Sequence, residues 1–241
     1  MAHPHADGGT AVFNGLIQYV GGTYRVSHPS SRIQFVDWRA NMPVPPDRFL
    51  TQPLAEMATA AYGNTAYAVG GESLKGPSAL IYRWRLGKSP VAWVRLPHPL
   101  VHPMAAIYRQ ALWVIGGLSP TGFSSAVDSV NLKTGTISPL GRFPVAIAHA
   151  AVAVFGHQLW VIGGETARGP SRRSWVWQGH GWRQGPDLPQ AVQGDSAFVL
   201  GDQLWAGGGS TRSGRITNQL WRYQAPEPVK RSGKSKASVH P

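Results

Sequence analysis

One thirteen-residue pattern occurs five times in this chain of 241 residues, and no other feature limits its fold as tightly. The copies are residues 10–22 (TAVFNGLIQYVGG), 59–71 (TAAYGNTAYAVGG), 105–117 (AAIYRQALWVIGG), 152–164 (VAVFGHQLWVIGG) and 197–209 (AFVLGDQLWAGGG). They align without gaps and begin 49, 46, 47 and 45 residues apart. A period in this range marks a supersecondary unit that buries its faces only against its neighbours.

Each copy reads as a β-hairpin. A short apolar run comes first, then a polar turn such as Asn14-Gly15, Gly63-Asn64 or Gly201-Asp202, then an aromatic-rich run that ends in Gly-Gly. Glycine at a turn supplies positive φ without steric cost. The apolar runs do not alternate cleanly, as expected for strands covered on both faces. A polar loop follows each Gly-Gly. A third short strand is expected at 33–37, 80–84, 127–132, 174–177 and 219–223. A fourth is expected only in the middle copies, at 93–97, 137–140 and 182–189. Each full period is then a four-stranded meander, and the array is radial.

Composition agrees with this reading. Only 14% of residues are charged, and there are ten Trp, 29 Gly and 20 Pro. Such a chain turns often and suits an all-β fold better than a helical bundle or a disordered chain. Cysteine is absent, which excludes disulfides, thiolate nucleophiles, Cys-ligated zinc and iron–sulfur clusters. No run approaches 18 apolar residues, so no spanning helix is expected. The N-terminal residues 1–9 lack the cationic and apolar regions of a secretion signal. The default compartment is therefore cytoplasmic, with a periplasmic or secreted location if a leader has been removed.

The pattern resembles the kelch repeat of β-propellers. Three features carry the resemblance: the apolar run before Gly-Gly (67–71, 112–117, 159–164), an aromatic on the third strand (Tyr82, Trp175, Trp221) and a Trp opening the fourth (Trp93, Trp182). The resemblance covers roughly residues 7–223. It implies one kelch-type propeller domain over residues 1–223, of about five four-stranded blades around a channel. Residues 224–241 are expected to be a basic, disordered tail carrying Lys230, Arg231, Lys234 and Lys236.

The sequence departs from the family pattern in three places. The first copy has a contracted end, running from 35–38 almost directly into the Pro-rich stretch 42–47. The third copy has Ile137 where the Trp would stand, and the fifth lacks a recognisable fourth strand after Tyr223. Kelch propellers usually have six or seven blades. Five copies fit a compact five-bladed ring, an incomplete or permuted portion of a larger one, or chains that assemble to close a ring. An unclosed ring exposes an edge that invites association.

Two columns of residues are candidates for a site at one mouth of the channel. The first lies three residues before each repeat: Asp7, Glu56, His102, His149 and Gly194. It would form a ring at the rim, either contacting a ligand or bonding neighbouring blade backbones. No tight ligand spacing supports a metal there. The second column follows Gly-Gly. Glu72 precedes Lys75, and Glu165 precedes Arg168, by three residues, while Arg25 and Arg212 stand near the equivalent cation position in copies one and five. Copy three has neither charge, with Leu118 to Thr121 in the same place. Arg is suited to holding a carboxylate bidentately and Glu to moving a proton. No nucleophile elbow, phosphate-binding Gly-rich loop or His-Glu-x-x-His occurs, and Pro99 and Pro103 keep His98 and His102 off an ordinary helix.

Two functions follow from these residues. The first is a non-catalytic binding or interaction module acting through the mouth loops. A net charge of +12 would favour an acidic protein partner or an anionic small molecule such as a sugar acid. Nucleic acid is not expected, since no aromatics interleave the charges of the tail. No cofactor is expected. The second is a carbohydrate-active enzyme. The absence of Cys excludes a copper radical oxidase of the galactose oxidase type. Resemblance to the bacterial N-acetylneuraminate mutarotases, which are kelch propellers, implies instead that Arg168 and Arg212 hold the sugar carboxylate. Glu165 or Glu72 would then transfer the proton that opens and closes the ring.

Overall fold

Hydrogen bonding follows the repeats. A computed structural model describes residues 6–13, 16–24, 28–36 and 45–224, all as strands, turns and loops with no helix. It accordingly holds no helix long and apolar enough to cross a membrane. Blade 1 is β1 (Gly9–Phe13), β2 (Leu16–Val20), β3 (Ser30–Val36) and β4 (Arg48–Leu54). Blade 2 opens with β5 (Ala58–Tyr62) and β6 (Thr65–Val69), then a small hairpin of β7 (Glu72–Ser73) and β8 (Gly76–Pro77), and ends with β9 (Leu80–Arg85) and β10 (Val91–Arg95). Blade 3 repeats this with β11 (Met104–Tyr108), β12 (Ala111–Ile115), the hairpin β13 (Leu118–Ser119) and β14 (Gly122–Phe123), β15 (Ala126–Asn131) and β16 (Ile137–Arg142). Blade 4 has β17 (Ala151–Phe155), β18 (Gln158–Ile162), the hairpin β19 (Glu165–Thr166) and β20 (Gly169–Pro170), β21 (Ser174–Trp177) and β22 (Trp182–Gln184). Blade 5 has three strands among the described residues: β23 (Ser196–Leu200), β24 (Gln203–Gly207) and β25 (Leu220–Gln224). Every pairing is antiparallel, and each blade is a meander from its inner to its outer strand.

The contracted end expected for the first copy is corrected by β4, a fourth strand at Arg48–Leu54. Pro53 lies within it, which hides it from a strand pattern. An outermost strand tolerates proline because its far edge needs no donor. Its pairing with β3 slips between Ser30 and Arg32.

The core is divided among the contacts between successive blades. In the hairpin register, alternate residues of each inner pair face the next blade or the previous one. Ala11, Val20, Ile33 and Phe35 of blade 1 pack on Ala66, Ala68, Tyr82 and Trp84 of blade 2. Tyr67 and Val69 pack on Leu112 and Val114, Trp113 and Ile115 on Leu159 and Val161, and Trp160 and Ile162 on Leu204 and Ala206. The aromatics Tyr67, Trp113 and Trp160 of blades 2, 3 and 4 thus reach across to the blade that follows. Trp113 meets Trp177 at 5.3 Å between ring centres, and Trp160 meets Tyr223 at 5.8 Å.

Among the described residues four such interfaces exist, and blades 5 and 1 share no equivalent core. The inner strands pack in the order β1, β5, β11, β17, β23, and β23 makes no comparable contact with β1. Phe198 and Leu200 on β23 are 46% and 66% exposed, whereas Phe155, at the repeat position of Leu200, is buried. Ile17 and Tyr19 of blade 1 are half-buried where their counterparts Leu112 and Val114 are buried. The blades lie in a ring that keeps a seam.

Candidate functional site

The rim of the channel is built from five residues in left-handed backbone conformation. Asp7, Glu56, His102, His149 and Gly194 have φ of 54°, 56°, 48°, 55° and 66°. That conformation costs a non-glycine residue roughly 1–2 kcal/mol, and here it turns four of the five amides toward the preceding blade. Glu56 N–H donates to Asp7 O at 2.7 Å, His102 N–H to Glu56 O at 2.9 Å, His149 N–H to His102 O at 3.0 Å and Gly194 N–H to His149 O at 2.8 Å. One row of backbone hydrogen bonds therefore ties the entries of all five blades together.

Their side chains line a cavity of about 360 Å³ at this end of the channel. His102 Nε2 lies 3.2 Å from Glu56 Oε2, and the His102 and His149 rings stack with centres 3.9 Å apart. A Cβ on Gly194 would come within 2.9 Å of His149 Nε2, so the row ends on glycine where the imidazole takes the space. Thr59, Met57, Met104 and Asp195 also line the cavity, and among the described residues no Lys or Arg does.

Burial sets the charge states. It raises the Glu56 carboxyl from its ordinary value, and the neighbouring Asp7 charge raises it further. Glu72 is raised by burial and then by Glu56. Burial lowers His102, opposed by Asp7. His149 is pushed down to about 4, by burial and then by His102. The stacked imidazoles are thus neutral at pH 7, and the rim offers hydrogen-bonding groups and negative charge.

The second column sits on the small hairpins that follow Gly-Gly. Glu72 pairs with Ala55 through backbone hydrogen bonds of 2.7 and 2.9 Å, and Glu165 pairs with Ala148 in the same way. Leu118 makes the equivalent pair with Val101, so this docking needs no acid. The sign of the neighbouring shifts puts Glu72 within electrostatic reach of Glu56, and Glu165 within reach of His149. Lys75 and Arg168 stand exposed at the hairpin tips, outside the cavity lining. Arg212 donates from its Nη2 to the Arg168 carbonyl, with its guanidinium against Gly169. It joins the loop of blade 5 to the hairpin of blade 4. Arg25 lies outside the described residues.

Two features escaped sequence reasoning. Ser73, Ser119 and Thr166 each donate a hydroxyl to the carbonyl of a glycine three residues on, at 2.9, 2.9 and 3.1 Å. These bonds close the tight hairpins that a polar loop had stood for, and the Ser/Thr-x-x-Gly spacing was the available signal. The other is Asp195, next to Gly194, where the other blades carry Gly8, Met57, Pro103 and Ala150. It is 8% exposed and neither oxygen closes a hydrogen bond. Burial raises its carboxyl to about 7, against the pull of the amides of Asp195, Gly164 and Ala151. Among the described residues, no group of His, Asp and Glu is arranged to hold a metal.

No protein-family model and no curated protein matches this sequence. Among solved structures, one titled "Structure of YjhT" matches with a TM-score of 0.74 and 18% identity, over 86% of this chain and 73% of that chain. The fold is a β-propeller. In all, 574 solved chains match this backbone, so the architecture is too widely shared to select an activity. The propeller supports the kelch resemblance at the level of fold, and chemistry has to be argued from the residues.

Proposed function

We propose that this chain is a non-catalytic binding module that takes its ligand into the mouth of the channel, over the Glu56–His102–His149 row. The observation that carries this reading is the cavity of about 360 Å³, lined by Asp7, Glu56, His102, His149 and Asp195 and, among the described residues, by no cation. A concave site with a few converging polar groups is the ordinary form of a small-ligand site. Carboxylates beside neutral imidazoles accept hydrogen bonds, so the ligand presents hydroxyl or ammonium donors. An acidic ligand would meet like charge here, because Lys75, Arg168 and Arg212 lie outside the lining. A thermal-shift panel of N-acetylneuraminate, glucose and an amino sugar tests this. A ligand at 100 times its Kd adds about 2.7 kcal/mol of stability. Stabilisation by the amino sugar or glucose, lost in Glu56→Gln, is the expected result. Stabilisation by N-acetylneuraminate alone, or by none of the three, overturns it.

One observation favours a second reading, a mutarotase or epimerase acting on a sugar. Glu56 Oε2 and His102 Nε2 are 3.2 Å apart, and burial and then the Asp7 charge raise the carboxyl. Such a pair suits proton transfer to and from a ring oxygen. Polarimetry on freshly dissolved α-glucose and N-acetylneuraminate decides. An accelerated approach to the equilibrium rotation, abolished by Glu56→Gln, would replace the binding reading.

A further inference from the structure

One group of cations lies away from the mouth. β9 carries Arg83 and Arg85 two residues apart, and therefore on one face of the strand. In the register of the blade, Arg83 lies beside Tyr67 and Arg85 beside Thr65 on β6. This is the face that packs toward blade 3, at the end of the strands remote from the Gly-Gly loops. The turn leaving β9 brings Lys88 to the same place, with its N–H donating to the Arg85 carbonyl at 2.9 Å. Arg48 of blade 1 fixes that turn by donating to the Gly87 carbonyl at 3.0 Å. Arg83, Arg85 and Lys88 line one depression of about 310 Å³, closed on the far side by Leu132 of blade 3.

Three observations set this depression apart from ordinary solvated charge. No carboxylate lies in its lining, and none of the three cations forms an ion pair among the described residues. The Arg83 guanidinium is held in place, with Cζ 4.5 Å from the centre of the Trp93 ring, which itself packs on Tyr67. Repeat architecture does not ask for the pair, since blades 3 and 4 carry Ser129 and Asn131, and Val176 and Gln178, at the same register positions, and blade 5 has Arg222 at the first but Gln224 at the second.

We propose that this cleft between blades 2 and 3 is an anion site that takes a phosphate or sulfate group of a small molecule. Two guanidinium forks and an ammonium supply charge-assisted donors to a dianion, and the Trp93 platform keeps one fork oriented before the ligand arrives. The site is separate from the channel mouth and opposite to it in charge. A bifunctional ligand or partner is then read by different blade ends.

Titration calorimetry with glucose 6-phosphate tests this, using inorganic phosphate and glucose as the other arms. The expected result is binding of both phosphates, weakened by about tenfold in Arg85→Gln and again in Lys88→Gln, while any binding of glucose is unchanged in these two variants. Both side chains are exposed, so these variants keep the fold. The charge-matched pair Lys75→Gln and Arg168→Gln should leave phosphate affinity unchanged. An equal loss in that control pair would reduce the effect to net charge and overturn the proposal, as would failure of every phosphate to bind. Binding of glucose 6-phosphate and glucose with equal affinity would move the ligand to the channel mouth and also overturn it.

Discussion

Gly194 and Asp7 end the row of rim hydrogen bonds without meeting. Four amides of that row donate to the blade before, and no backbone hydrogen bond joins Gly194 to Asp7 among the described residues. The same break appears in side-chain packing, where blade 5 presents Phe198, Leu200 and Leu220 to no following blade. Both observations locate one seam between blades 5 and 1.

The seam predicts unequal stability effects at one repeat position. Phe155 and Leu200 occupy the same place in their copies, one buried and one 66% exposed. Phe155→Ala should cost about 3–5 kcal/mol, and Leu200→Ala no more than about 0.5 kcal/mol. Chemical denaturation of the two variants measures this. A comparable loss in both would mean that the blade-5 face is covered in solution.

Glycine pairs at the ends of the hairpins are set by contact as well as by backbone angle. Gly116 and Gly156 share a φ of 57°. A Cβ on Gly116 would lie 2.2 Å from the Ile147 carbonyl, while one on Gly156 would meet nothing within 4 Å. Gly156→Ala should therefore cost about 1 kcal/mol for the backbone alone. Gly116→Ala should cost about 2 kcal/mol or more beyond that, because the next blade would have to move. Equal melting shifts would contradict this reading of the Gly-Gly corner.

Asp195 and His149 pull acid stability in opposite directions. The folded carboxyl titrates at about 7 against an unfolded value near 3.8, so between these values the folded state binds the extra proton. Its contribution is full below 3.8 and is lost as pH rises through 7. The folded imidazole titrates at about 4 against 6.5, so in that window the unfolded state binds the extra proton. Its contribution is full above 6.5 and is lost as pH falls through 4. Over pH 4 to 6.5 the two slopes oppose. Removing the carboxyl in Asp195→Asn should leave stability rising with pH across that window, more steeply than in the parent chain. A pH series of melting curves for both proteins gives the sign directly.

Much of the architecture was legible because the repeats impose it. The Gly-Gly pairs, the polar turns and the third strands follow from an apolar run that must reverse and be covered on two sides. Ser174–Trp177 is read without error, and the other third strands agree to within one to three residues at each end. The strand Arg48–Leu54 was not legible, because Pro53 and the preceding Pro-rich stretch read as loop until an edge position is known. At the site, counting back from each repeat finds the five rim residues. No count reveals that Arg212 turns onto the Arg168 carbonyl, since only three-dimensional placement shows which neighbour a long side chain reaches. Asp195 was equally silent, because an acid in a loop gives no sign in sequence that its carboxyl will be buried.

The unclosed seam makes the molecule behave as a line rather than a circle. Blade 3 is held on both faces, while blades 1 and 5 are each held on one. In a linear array of units coupled only to neighbours, opening begins at the ends and moves inward. Amide exchange should then be fastest in the strands of blades 1 and 5 and slowest in β12 of blade 3. The two blades flanking the seam are the hinge points from which the channel would widen, and the cavity at its mouth, whose lining includes Asp7 and Asp195 from those same blades, would sense that opening first.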